Sequence, residues 1–291
     1  MQRTKNNLTT LIIALSCSVL WGQWGAAPGA ITEEGENSQI DYSTRMIKAT
    51  GIGAVPTNAA NVGVARANAI RAAKMDALRN LVEAVKDVRI TSETTVVNNM
   101  VESDVITSKV EAMIRGAQQV GDVKYLSDSS VELTMEVPLS GIMDLVMPTA
   151  ESAEPLELGA PPPPAEGTTP SVAPATPGQP ITGLIIDARG LGIKPSMSPQ
   201  VLTDDGIVLY GPGNYPREFA VAQGVVGYHK DPTAAAADAR VVGNPVTIKG
   251  LSTSGGMATD VVIALADAQR VAGMDGFGEA LSACRVMFIL D

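Results

Sequence analysis

The sequence predicts an α+β protein made of two small mixed α/β domains joined by a proline-rich linker. Three observations carry this. Nine of the 19 prolines fall between Thr149 and Pro180, including the run Pro161-Pro162-Pro163-Pro164. A strand-like stretch followed by a long alanine-patterned helix precedes the break, and short β-branched runs alternate with helical ones after it. With 45% hydrophobic and 18% charged residues over 291 positions, two domains can each bury a core.

The amino terminus, residues 1–30, reads as an export signal. Arg3 and Lys5 form a positive start, Leu8 to Leu20 is apolar, small residues cluster from Gly25 to Ala30, and the first acid is Glu33. The apolar run is shorter than the roughly 20 residues a membrane span needs. Ser16-Cys17 forms a degenerate lipobox, with Ala14 where leucine is usual. Lipid attachment at Cys17 and ordinary cleavage are both open readings. The apolar character that continues through Trp21 and Trp24 favours cleavage. Cleavage leaves Cys284 without an intrachain disulfide partner.

The first domain is placed at 41–148. Arg45 to Val55 reads as a strand, and a helix is expected from Asn61 to Lys86 with Asn58 as its cap. Ala65, Ala69, Ala73, Ala77, Leu81 and Ala84 recur at steps of three and four, a small-residue stripe that lets a helix lie close to a sheet. Val88 to Val97 is β-branched and predicts a strand. Ser103 caps a shorter helix with an apolar face of Ile106, Val110, Met113 and Ile114, ended at Gly116. Val120–Leu126 and Val131–Val137 flank a polar turn and predict a hairpin.

Residues 149–180 predict an extended, solvated linker able to separate its flanks by up to about 100 Å. The domain at 181–291 is expected to hold strands at 184–186, 207–210, 246–248, 261–263 and 285–290. The last of these is apolar throughout, as central strands are. Helices are expected at 267–273 and 278–283, and Asp204-Asp205-Gly206 reads as a tight turn.

Gly51-Ile52-Gly53 follows a strand and precedes a helix, as a dinucleotide loop would. Pro56 stands at the third-glycine position, however, and Arg71 where an acid would be needed, so no cofactor is expected and the glycines imply close packing. Asp187 ends a buried strand, where catalytic carboxylates often sit, but Arg189 is placed to pair with it. His229 is the only histidine, which excludes a two-histidine metal site. No G-x-S-x-G elbow accompanies it, and Ser252 to Gly256 reads as a flexible loop. Cys284 is expected to be a buried, inert thiol. Asp204 and Asp205 lack calcium-loop spacing. No catalytic, cofactor or metal residue is therefore assigned. A net charge of −10 argues against nucleic acid as a partner.

The run Ala49, Gly51, Gly53, then Ala65, Ala69, Ala72, Ala73, Asp76, Ala77, Arg79 and Leu81, with Gly121, Val123 and Lys124 further on, resembles the lipoprotein-twenty family of bacterial outer-membrane proteins. That family includes a flagellar basal-disk lipoprotein, and the resemblance covers about residues 45–140. It implies an exported protein of the periplasm or outer membrane that is not an enzyme. Such a protein would act in structural assembly, including at the flagellar basal body, by self-association or by docking envelope proteins. The competing expectation is a small-ligand binder or hydrolase-like enzyme with its site around Asp187, Tyr210 and His229.

Overall fold

The computed structural model describes residues 27–147, 172–173, 176 and 178–291. The predicted export signal up to residue 26, Cys17 within it, and most of the proline-rich stretch lie outside the described residues. No helix among the described residues is long and apolar enough to cross a membrane.

The fold is α+β. Its amino-terminal part comprises β1 (Thr32–Glu34), β2 (Ser38–Asp41), β3 (Met46–Gly53), α1 (Val62–Lys86), α2 (Val96–Glu102), α3 (Asp104–Arg115), β4 (Gln118–Tyr125), β5 (Val131–Pro138) and α4 (Leu139–Val146). The strands form one antiparallel sheet ordered β1-β2-β3-β5-β4. Alternation along β3 and β5 sends Ile47, Ala49, Leu133, Met135 and Val137 to one buried face. Helix α1 lies across that face on Ala65, Ala69, Ala73, Ala77 and Leu81, all buried.

The approach of α1 is close enough to require glycine. A Cβ at Gly51 would stand 2.1 Å from the Ala77 nitrogen and 2.2 Å from the Ala73 oxygen, and one at Gly53 would stand 2.0 Å from the Ala69 oxygen. The pair therefore serves helix-on-sheet contact.

Several expectations are corrected here. The cap of α1 is Asn61, whose side chain accepts from the Val64 N–H at 2.9 Å; Asn58 lies in the turn before it, too early to reach that donor. Residues 88–97 are not a strand. Arg89 and Thr95 make a single bridge around the Ser92 turn, and Val96 opens α2. The carbonyls of Arg89 and Ile90 accept instead from Met197 and Ser198 in the other half of the chain, at 2.9 and 2.7 Å. Strands β1 and β2, which end at Glu34 and Asp41, are not predicted, because Thr-Glu-Glu and Ser-Gln-Ile-Asp show no apolar alternation.

The carboxyl-terminal part comprises β6 (Val172–Ala173), β7 (Gly183–Asp187), β8 (Val201–Thr203), β9 (Val208–Tyr210), α5 (Arg217–Gln223), β10 (Gly227–His229), α6 (Pro232–Ala237), β11 (Pro245–Lys249), β12 (Ser252–Ser254), β13 (Asp260–Ile263), α7 (Leu265–Ala272), α8 (Phe277–Ser282) and β14 (Val286–Ile289). One sheet runs β10-β14-β7-β11-β6, parallel except for β6. The other runs β12-β13-β8-β9. β14 is buried along its whole length, as its unbroken apolar run requires. The Asp204-Asp205-Gly206 turn is present, with Gly206 at φ 83° and its N–H bonded to the Thr203 carbonyl at 2.8 Å.

Two features depart from the picture of an open linker. Its end, Val172–Ala173, pairs with Ile248 and Thr247 as an edge strand. The two halves are also not held apart: their buried side chains form one continuous core cluster, running from Ile31 through Val137 to Leu290. Complementary surface, which composition does not display, brings the halves together.

Candidate functional site

The carboxyl edge of the parallel sheet is where α/β proteins ordinarily bind ligands. The register aligns His229 with Ile289, and Ile289 with Asp187, so Asp187 and His229 share that edge two strands apart. At about 4.8 Å per strand their backbones are separated by about 9–10 Å. Tyr210 does not join them. It lies in the other sheet, fully buried, and its hydroxyl donates to the Val225 carbonyl at 2.6 Å.

Each of these groups is already engaged. Arg189 grips Asp187 through two bonds, Nε to Oδ1 at 2.8 Å and Nη2 to Oδ2 at 2.7 Å. These bonds hold the Asp187 carboxyl below its ordinary range, with the charges of Arg189 and Lys249 acting in the same direction. An ionised, bidentate-paired carboxylate is a poor proton acceptor. The Nδ1 of His229 accepts from the Asp231 N–H at 2.9 Å. Asp231 in turn caps α6 by accepting from the Thr233 and Ala234 N–H groups at 2.7 and 2.9 Å.

The amino-terminal segment also passes over this edge. The Gly29 carbonyl accepts from the Lys230 N–H at 3.0 Å, and a Cβ at Gly29 would stand 2.5 Å from His229 Cε1. Residues 27–30, the end of the predicted export signal, pack here against the folded body. Cys284 is buried, and burial pushes its thiol above the usual value. The described residues contain no group of three or more His, Cys, Asp or Glu side chains able to hold a metal ion. A groove of ≈ 270 Å³ in the first half, lined by Met46, Met113, Gln118, Glu136 and Pro138, brings together no acid–base set.

The densest polar chemistry lies in the seam between the halves. The β2–β3 turn puts Arg45 in the left-handed region, at φ 60°, and aims its guanidinium at the carboxyl end of α5. Its Nη1 and Nη2 donate to the carbonyls of Ala222 and Val221 at 2.8 and 2.9 Å. Arg240 caps the same end from the other side. It donates to Gln223, to Gly224 at 3.0 Å, and to the Cys284 carbonyl at 2.7 Å. The two cations thus satisfy helix-end carbonyls that have no intrahelical donor and oppose the negative end of the dipole. Burial, and then the neighbouring charge of Arg240, lower the Arg45 guanidinium from its usual value.

Around this point the seam is closed by further bonds. Ser43 Oγ donates to the Tyr228 carbonyl at 2.8 Å, and Tyr42 packs edge-on against Tyr228 with centroids 5.9 Å apart. Arg89 pairs with Glu33 and donates to the Pro195 carbonyl at 3.0 Å. Arg217 pairs with Asp144 at 2.9 Å, and the Gly256 N–H donates to Glu93 at 2.8 Å. The cavity left between Tyr42, Arg45, Met143, Ser196 and Tyr228 is ≈ 20 Å³. Sequence reasoning missed all of these residues. An isolated arginine in a turn carries no local sign of a partner some 176 residues away.

Comparison with known proteins agrees with this two-part organisation. Residues 53–137 match the LPP20 lipoprotein family, and residues 183–291 match the family described as Treponema pallidum Tp0624, second domain. No curated protein matches the chain. The chain thus joins an amino-terminal module similar to the LPP20 lipoprotein family, a similarity that implies an exported, membrane-associated lipoprotein, to a module similar to the second domain of Tp0624.

Proposed function

We propose that this is a non-enzymatic envelope protein that acts in structural assembly. Its two modules would move as one rigid unit and associate with further copies or with other envelope proteins, at the outer membrane or at the flagellar basal body. The observation that carries this reading is the seam. Arg45, Ser43 and Arg89 of the lipoprotein-type module are bonded into the second module, a use of polar side chains suited to transmitting load between two halves. Asp187, Tyr210 and His229, the side chains best suited to chemistry, are supporting evidence, since each is held in a structural bond.

The test is light scattering and electron microscopy of the purified exported protein across a concentration series. Rings or larger closed oligomers are expected. A strict monomer at high concentration refutes the assembly role. An Asp187→Ala variant that loses binding of a defined small ligand would instead favour a ligand site at the sheet edge.

A further inference from the structure

The exposed side of α1 has a composition unlike the rest of this acidic chain. The row Ala67, Arg71, Met75, Arg79 runs along its crest at i, i+4 spacing, flanked by Val64, Ala72 and Lys74, and all seven are exposed. Arg66 lies on the flank of α1 nearer the sheet, its guanidinium 5.0 Å from the centroid of the Tyr125 ring in β4. Asp76 is the only carboxylate between Val62 and Val82, and the row ends at the exposed Glu83, which pairs with Lys86 at 3.0 Å. The Asp76 Oδ2 accepts from the Ile52 N–H at 3.0 Å and its Oδ1 lies 3.9 Å from Arg79. The first turn of the helix carries no acid, so the positive end of its dipole adds to the same field. In a chain of net charge −10 this is a segregated cationic face. Apolar side chains protrude among the cations on this crest: Met75 is 64% exposed and Val64 42%.

We propose that this face of α1 lies on an anionic lipid bilayer. Two features select a bilayer over a folded acidic protein. The face is the convex outer side of a 25-residue helix, and no α1 residue lines either of the cavities described above. Its exposed apolar groups alternate with cations, which suits insertion between headgroups while the cations meet lipid phosphates. A fluid surface needs no matching contour. The inference goes beyond the assembly role and stands independently of it, because it uses a different surface.

Vesicle flotation of the exported protein tests it, with phosphatidylcholine vesicles prepared with and without phosphatidylglycerol. A covalent lipid at Cys17 would add the same affinity for both, so their ratio reads the helix face. Stronger binding to the anionic vesicles is expected, and raised salt should remove the difference. Each cation near the surface contributes on the order of fivefold, so the triple variant Arg71→Gln, Lys74→Gln, Arg79→Gln should lose on the order of a hundredfold of the anionic preference. Its thermal unfolding should be unchanged, since the three side chains are exposed. Met75→Ser should weaken anionic binding without changing its salt dependence. Equal binding to both vesicles overturns the proposal, as does a triple variant that keeps the preference. Low-salt clustering of copies that the triple variant abolishes, with no lipid preference, also overturns it in favour of an acidic protein face. A monomer that prefers anionic vesicles would leave this inference standing while removing the assembly role.

Discussion

Gly51→Ala tests the contact on which the amino-terminal module is built. The added methyl would lie 2.1 Å from the Ala77 nitrogen and 2.2 Å from the Ala73 oxygen. An ordinary nonbonded contact is about 3.5 Å, so α1 would have to retreat by about 1.4 Å. Both obstructing atoms are backbone, which cannot rotate away. Retreat also opens the contacts of Ala69, Ala73, Ala77 and Leu81, which are fully buried. Overpacking ordinarily costs about 1–3 kcal/mol, and the rigid obstruction puts this case at about 3 kcal/mol or above. For a protein of this size that lowers the melting temperature by about 6–12 °C. Thermal unfolding followed by far-UV circular dichroism reads the shift. Gly278→Ala is the control: nothing lies within 4 Å of its added methyl, and α8 should gain about 0.4–1 kcal/mol. A Gly51→Ala protein within about 0.5 kcal/mol of the parent would refute the close-approach argument.

Two further outcomes follow from the same structure. Arg45→Ala removes two charge-assisted bonds to α5 from a half-buried side chain while keeping the left-handed backbone, and should cost about 2 kcal/mol in urea unfolding. Arg45→Gly should cost less, because glycine adopts that backbone without strain; equal losses would show that φ 60° is not strained. Asp187 has a folded carboxyl value below its unfolded one of about 3.9, so its pair with Arg189 stabilises the fold above that value. The contribution is lost as pH falls through the lower folded value. Arg189 is nearly half exposed, so water screens the pair and the effect is small. Asp187→Asn should therefore narrow the gap between stability at neutral pH and at about pH 3, and an unchanged pH profile would show that the pair contributes nothing.

What the sequence determined by itself was local and periodic. The alanine stripe of α1, the Ser103 cap that accepts from Ile106, the β4–β5 hairpin and the apolar β14 all depend on neighbours within a few residues or on one repeating face. The pairing of Asp187 with Arg189, two positions apart, was legible for the same reason. Packing decided the rest. Asn61 rather than Asn58 caps α1 because the helix begins at Val62, where the Asn61 side chain reaches the Val64 N–H. β1 and β2 exist because they have a sheet edge to join, despite polar sequences that suggest no strand. The candidate site at the carboxyl-terminal module dissolved for a related reason, since the pairing topology set Tyr210 in a different sheet from Asp187 and His229. The seam is the clearest case. Arg45 and the carbonyls it caps are far apart along the chain, and their attraction is expressed only once two separately formed surfaces meet. Composition marked where the chain could bend, and the complementary faces on either side decided that it closes.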